Sequence, residues 1–149
     1  MAVGGLLALT LTVTAPGHAR LRLQAAREDA VVDLRGRVVC LDAEGGVQRC
    51  GGASSRFALE MTGGEVRPFR PGDPLAAMFA DERVRERELV VRAREASSGE
   101  LETIRVRSVR DGRLCDVDYF CEVCNVVAYA PGPCVCCGRP MALRETPLP

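Results

Sequence analysis

The chain has 149 residues, which is enough for one compact domain with its own core and a small appendage. Its 20 acidic and 20 basic residues balance, which excludes an overall electrostatic attraction to nucleic acid or to an anionic membrane. Every basic residue is an arginine, and the lack of lysine excludes Schiff-base chemistry and phosphate-binding loops that end in Gly-Lys-Ser or Gly-Lys-Thr.

The amino-terminal residues 1–19 are an apolar run that ends in Pro-Gly-His-Ala. The apolar part is short for a bilayer span, and the small residues Gly17 and Ala19 suit cleavage after Ala19. The run therefore predicts a signal peptide, a periplasmic or secreted mature protein and no transmembrane anchor after cleavage. No arginine precedes the run, so the alternative is a buried first strand or a wrongly assigned start codon, with the protein cytoplasmic.

The single histidine of the sequence, His18, lies within this run. Cleavage after Ala19 would remove it, and with it Ser-His-Asp triads, Cys-His pairs and histidine-ligated catalytic zinc. Catalysis by paired carboxylates stays possible, but no Asp or Glu pair stands out from the charges of solvated faces. The sequence therefore contains no catalytic constellation that we can identify, and we expect a non-enzymatic protein.

After a charged lead-in over residues 20–29, the pattern changes to period two, which is typical of a half-buried strand. One face of this first strand carries Val32, Leu34, Gly36, Val38 and Cys40. A glycine in mid-strand indicates the bend or bulge at which a small barrel turns a corner.

The same reasoning predicts four further strands and one helix. The strands are residues 57–61, 65–70, 89–93 and 104–109, separated by glycine turns or by the helix. The helix follows a Pro-Gly-Asp-Pro sequence, with Asp73 as its cap and Pro74 at its first position, and it is expected to end between Asp81 and Val84.

Cys40 and Cys50 flank a Gly-Gly turn and can face each other across the loop. In an oxidising compartment a disulfide between them would contribute about 3 kcal/mol, because it closes a loop of about eleven residues. The alternative is two small buried thiols.

The strongest motif lies near the carboxyl terminus, where Cys121-Glu-Val-Cys124 and Cys134-Val-Cys136-Cys137-Gly138 are separated by nine residues. Two Cys-x-x-Cys turns this close supply the four thiolates that a tetrahedral metal ion requires. We predict Cys121, Cys124, Cys134 and Cys137 as the ligands. The alternative is a pair of disulfides in an exported protein.

Two cysteines, Cys115 and Cys136, are left over by this assignment. They could pair with each other, or one of them could be a reactive thiol. Cys136, which lies between two predicted ligands, could also exchange with them or favour a softer metal such as copper(I).

The two knuckles resemble those of zinc-ribbon and rubredoxin-like proteins, over about residues 118 to 143. Asn125 replaces the usual glycine of the first knuckle, and asparagine also tolerates the left-handed conformation. The resemblance implies Zn²⁺ in a structural site, or alternatively iron in an electron carrier. Few aromatic residues lie near the motif, which favours zinc. A closed four-thiolate site also speaks against metal-centred hydrolysis.

The order of elements before the knuckles is similar to a five-stranded OB-type barrel with one helix. The fold class expected is therefore mainly β, a small OB-like barrel followed by a zinc ribbon, as in an exported bacterial protein. OB folds that bind single strands use aromatic platforms and a basic groove. With four Phe, two Tyr and no Trp, this chain is not expected to bind nucleic acid. We expect a protein or a small ligand as the partner.

These patterns together divide the chain into a signal peptide (1–19), a lead-in (20–29), the barrel (30–114), the ribbon (115–145) and a tail (146–149). Residues 116–120 are expected to connect barrel and ribbon, with Tyr119 and Phe120 packing the two together. A small ribbon core is expected from Val123, Val126, Val127 and Tyr129. Such a unit buries too little apolar surface to be stable alone, so the ion is expected to supply most of its stability.

Two classes of function follow. In the first, a metal-stabilised ribbon and its barrel form a binding module. In the second, Cys136 and Cys115 exchange with the four ligands in a redox or metal-handling protein.

Overall fold

A computed structural model describes residues 30–51 and 56–149. The predicted signal peptide and lead-in lie outside these residues, as does Gly52 of a predicted turn. The described ranges contain nine strands in one sheet and very little helix, which confirms the mainly-β class. The strands are β1 Val31–Leu41, β2 Val47–Gln48, β3 Arg56–Met61, β4 Val66–Pro68, β5 Leu89–Glu95, β6 Leu101–Arg110, β7 Arg113–Cys121, β8 Val126–Ala128 and β9 Ala142–Pro147.

The sheet has the strand order β4-β3-β1-β5-β6-β7-β8, with β2 paired to β1 and β9 paired to β7. The sheet is not closed, so the predicted barrel is not confirmed. An isolated parallel bridge joins Phe69, just after β4, to Leu101 at the start of β6. The Arg70 N–H also donates to the Leu101 carbonyl at 2.9 Å.

Strand β1 changes partner at Gly36. Its first half pairs with β5 and its second half with β3, and Gly36 faces both Leu89 and Met61. A Cβ atom at Gly36 would overlap the backbone carbonyl of Glu60. Glycine is therefore required at this position by the close approach of β3, in agreement with the predicted bend.

The predicted helix differs from the observed one. A 3-10 helix spans Ala76–Ala80, and a single turn of α-helix, α1, spans Glu82–Arg85. The helix does not begin at Pro74, but the Asp73 carboxylate makes the hydrogen bonds expected of a cap. It accepts hydrogen bonds from the N–H groups of Leu75 and Ala76 at 2.9 and 3.3 Å, and from the Thr103 N–H at 2.6 Å. Asp73 therefore ties this segment to β6. No helix in the described ranges is long and apolar enough to cross a bilayer.

The core lies between the sheet and these short helices. Phe79 is fully buried and contacts Phe69 and Phe57, with ring centroids 4.7 and 6.0 Å apart. Strands β5, β6 and β7 contribute most of the other buried apolar side chains: Leu89, Val91, Ala93, Leu101, Val106, Val117 and Tyr119.

Residues 116–120, expected to be a connection, belong instead to β7. Strand β7 pairs with β6, β8 and β9, so one sheet extends across the predicted division between residues 114 and 115. Tyr119 is buried in the core, and its hydroxyl donates to Asp81 Oδ2 at 3.0 Å. Phe120 is half-buried on the other face, where the Arg144 guanidinium lies 4.3 Å from its ring centroid.

Candidate metal centre

The first knuckle begins where β7 ends. The Asn125 N–H donates to the Cys121 carbonyl at 2.8 Å, and Asn125 has a left-handed backbone with φ of 55°. In the second knuckle the Gly138 N–H donates to the Cys134 carbonyl at 2.8 Å, with φ of 69°. The two turns therefore have the same hydrogen bond and the same left-handed position. Asparagine occupies this position in the first turn and glycine in the second.

These two turns bring together Cys121, Cys124, Cys134 and Cys137. All four Sγ atoms lie within 4.8 Å of one another, and those of Cys121 and Cys137 are 3.7 Å apart. A tetrahedron with Zn–S bonds of about 2.3 Å has edges of about 3.8 Å. The donor set and its spacing therefore fit a metal ion, and the cluster could hold one.

The backbone of the second knuckle stabilises a thiolate. The N–H groups of Cys137 and Cys136 are directed at the Cys134 sulfur and lower the pKa of this thiol to about 6. The hydrogen bond with Cys137 and burial raise the pKa of Cys124. The cluster thus holds part of the negative charge that a cation requires, and metal binding would displace the remaining protons.

The site lies at the surface with one side buried. Cys121 and Cys134 are buried, Cys124 is half-buried and Cys137 is exposed. Two of the four donors are therefore fixed by the protein interior, while the others face the solvent from which an ion would enter.

The two leftover cysteines are both free and lie in different surroundings. Cys136 is exposed and is not a member of the group of four. Cys115 is buried on β7, with its sulfur 4.0 Å from the Arg113 carbonyl. Neither pairs with the other, and the alternative of disulfides among the carboxyl-terminal cysteines is not what the structure contains.

The side chains around the knuckles do not form the small core that the sequence predicted. Val135 is 92% exposed, Val123 is 60% exposed and Tyr129 is 54% exposed, and Val127 also faces solvent. The reason is that β8 has only three residues and contacts the main core through Ala128. The knuckles therefore carry apolar side chains that are exposed to solvent.

Cys40 and Cys50 lie at disulfide distance, as predicted, with their Cα atoms 5.1 Å apart. This pair joins the end of β1 to the turn after β2 and shares no residue with the cluster of four.

The chain matches no protein-family model, no curated protein and no solved structure at a significant level. The geometry of the cluster is therefore the main guide to function. The spacing of the cysteines alone identified all four members. The pairing of β8 and β9 with β7, which fixes the first knuckle to the main sheet, was missed.

Proposed function

We propose that this chain is an exported, non-enzymatic binding module whose carboxyl-terminal cysteines hold a structural Zn²⁺ ion in a ribbon-like unit. The observation that carries the proposal is the mutual distance of the four sulfur atoms, which fits a tetrahedral four-thiolate site. Four protein ligands leave no coordination position for a substrate, which supports a structural role for the ion.

The length of irregular chain around the cluster supports this role. Between Cys121 and β9 the described chain contains only the three residues of β8 and an isolated bridge between Pro133 and Pro140. Few apolar contacts hold this segment, and in small units of this kind metal binding supplies the folding free energy.

Zinc is preferred to iron because of where the nearby aromatic rings lie. Tyr119 belongs to the main core, Phe120 contacts Arg144 and Tyr129 is exposed. These three rings therefore do not form the aromatic surroundings of the ion that the resemblance to rubredoxin-like proteins implies. Iron in the same four thiolates remains the alternative cofactor.

The test is elemental analysis of the purified full chain and of two serine variants. We expect one zinc per chain, loss of the metal in Cys134→Ser, and retention in Cys136→Ser, because Cys136 lies outside the cluster. Each variant replaces one sulfur atom of the second knuckle by oxygen, so the two differ only in whether that sulfur belongs to the cluster. A metal-free wild-type chain, or equal loss in both variants, would refute the proposed site. A red protein with visible charge-transfer bands would show that the metal is iron and not zinc.

The exposure of Cys136 supports a second candidate function, the handling of a labile metal. This free thiol follows one cluster member in sequence by two residues and precedes another directly, and both it and Cys137 are exposed. A thiolate in this position can enter the coordination shell and speed ligand exchange. Metal transfer to a chelator would then slow in Cys136→Ser, whereas a purely structural ion would leave at the same slow rate in both proteins.

The binding role, the barrel and the export are also part of the proposal. Three exposed apolar side chains on or beside the knuckles, Val123, Val135 and Tyr129, support a protein or small-ligand partner that covers them. The bridge between Phe69 and Leu101 supports an OB-like closure.

The Cys40–Cys50 pair suits an oxidising compartment. Sequencing of the mature amino terminus tests the export; an uncleaved chain in the cytoplasm would contradict it.

A further inference from the structure

A cavity of about 300 Å³ lies away from the cysteines, between the start of β3, the turn that follows β4 and the 3-10 helix. Its lining includes Arg56, Phe57, Phe69, Arg70 and the pair Ala76–Ala77. This volume is at the lower end of the range of pockets that bind small molecules.

The floor and walls of this cavity are apolar. Phe57 is half-buried and Phe69 is 4% exposed, and both rings pack on the buried Phe79. Ala76 and Ala77 of the 3-10 helix also line the cavity, with small side chains. Because the aromatic rings are fixed by the core behind them, the cavity is a preformed site for an apolar group.

Two arginines line the cavity, and neither is held closely by an acidic side chain. The Arg56 side chain forms no hydrogen bond or ion pair within the described ranges. Arg70 is 61% exposed and lies 4.0 Å from Glu102, whose carboxylate is closer to Arg94 at 3.4 Å. The Arg56 guanidinium is therefore available to an anion, and an anion that approaches Arg70 competes only with the 4.0 Å contact to Glu102.

The single acidic residue of the lining, Asp73, does not cancel this charge. Its carboxylate is 8% exposed and accepts hydrogen bonds from three backbone N–H groups, those of Leu75, Ala76 and Thr103. These bonds occupy both oxygens and turn the carboxylate toward the protein. The cavity thus combines an apolar interior with a positively charged opening.

We propose that this cavity binds a small molecule with an apolar, ring-sized body and one anionic head, a carboxylate or a sulfonate. The body contacts Phe57 and Phe69, and the head lies between Arg56 and Arg70. This site is separate from the cysteine cluster and does not depend on the identity of the metal.

The test compares two fluorescent probes that differ by one charge, anilinonaphthalene sulfonate and its neutral analogue N-phenylnaphthylamine, on the full chain as purified. We expect saturable binding of one sulfonate probe per chain. The double variant Arg56→Gln/Arg70→Gln lowers the affinity for the sulfonate probe about tenfold. Each exposed ion pair contributes about twofold to fivefold in affinity, and the variant removes two. The affinity for the neutral probe changes by less than about twofold, because this probe makes no ion pair.

Two further variants make the result specific. Ala77→Leu places a larger side chain in the cavity and weakens both probes. The matched control Arg105→Gln/Arg113→Gln removes two exposed arginines elsewhere and leaves both affinities unchanged. The proposal is overturned if the sulfonate probe binds without saturation, or if the control variant weakens it as much as the Arg56/Arg70 variant does. Equal loss of both probes in the Arg56/Arg70 variant would overturn the assignment of the anionic head.

Discussion

At the scale of single residues, Gly36 is the position where the backbone leaves no space for a side chain. The sequence indicated a bend there from a glycine in an alternating strand, and the structure gives the cause in the Glu60 carbonyl of β3. The atom that a Cβ would meet is backbone, so relief requires movement of a paired strand. A methyl group at this position is therefore expected to destabilise the fold in the way that an extra methylene does in a well-packed core.

We therefore expect Gly36→Ala to lower the free energy of unfolding by about 1–3 kcal/mol, measured by denaturant titration at constant m-value. The control is Gly63→Ala, since a Cβ at Gly63 meets nothing within 4 Å and Gly63 is not among the left-handed glycines. This control should change stability by less than about 1 kcal/mol. Similar losses in both variants would mean that the contact with Glu60 does not set the requirement for glycine at position 36.

At the scale of elements, α1 is tied to β7 by one acceptor. The Asp81 carboxylate accepts from the Arg83 N–H at 3.0 Å, from the Arg83 guanidinium and from the Tyr119 hydroxyl. Hydrogen bonding from the Arg83 side chain, which outweighs burial, lowers the pKa of Asp81. Burial and the bond to Asp81 raise the pKa of Tyr119, so this hydroxyl remains a donor at neutral pH.

Because its folded-state pKa is lowered, Asp81 stabilises the fold above its unfolded pKa of about 3.9, and this contribution is lost as the pH falls through the folded value. We expect Asp81→Asn to be less stable than the wild type by about 1 kcal/mol at pH 7, with the difference shrinking toward zero in strong acid. Denaturant titration at several pH values measures it. The matched variant Glu82→Gln changes an exposed neighbouring acid that forms no ion pair in the described ranges. A difference that does not vary with pH would contradict the role of the charge.

Local signals in the sequence predicted the elements that local contacts determine. Asp111-Gly112 predicted a hairpin, and both residues have a left-handed backbone between β6 and β7. Strand β7 was missed although Cys115, Val117, Tyr119 and Cys121 alternate on its buried face. Its partner β9 begins some twenty residues later, and nothing in the local sequence indicates that pairing.

The exposure of a strand residue also depends on pairing that the local sequence does not show. Ile104 was correctly placed in a strand with Val106, but the register shifts opposite Arg92 and Ala93, and Ile104 is left without a partner on β5. It is 41% exposed as a result, while Val106 is buried. A bulge depends on how two strands meet, which an alternating pattern in one strand does not specify.

At the scale of the whole molecule, two different kinds of contact hold the two ends of the sheet. From β1 to β7 an apolar core with three packed phenylalanine rings stabilises the chain. Beyond Cys121 the exposed Val123, Val127 and Tyr129 contribute little to that core, and the cysteine cluster is what joins the two knuckles. Metal removal should therefore unfold one part of the molecule and leave the other folded.

We expect a zinc chelator to remove protection from hydrogen exchange at the amides of Asn125 and Gly138, whose bonds close the two knuckles, while amides of β5 keep their protection. The half of β9 nearest Met141 should also lose protection, whereas Thr146, which pairs with Asp116, should retain it because β6 and β7 remain joined there. Exchange monitored by mass spectrometry with peptide resolution measures all three regions in one sample. Cooperative loss of protection across β5 would mean that the ion supports the entire sheet. Unchanged protection at Asn125 and Gly138 would mean that the knuckles are stable without it, and the structural role proposed for the metal would fail.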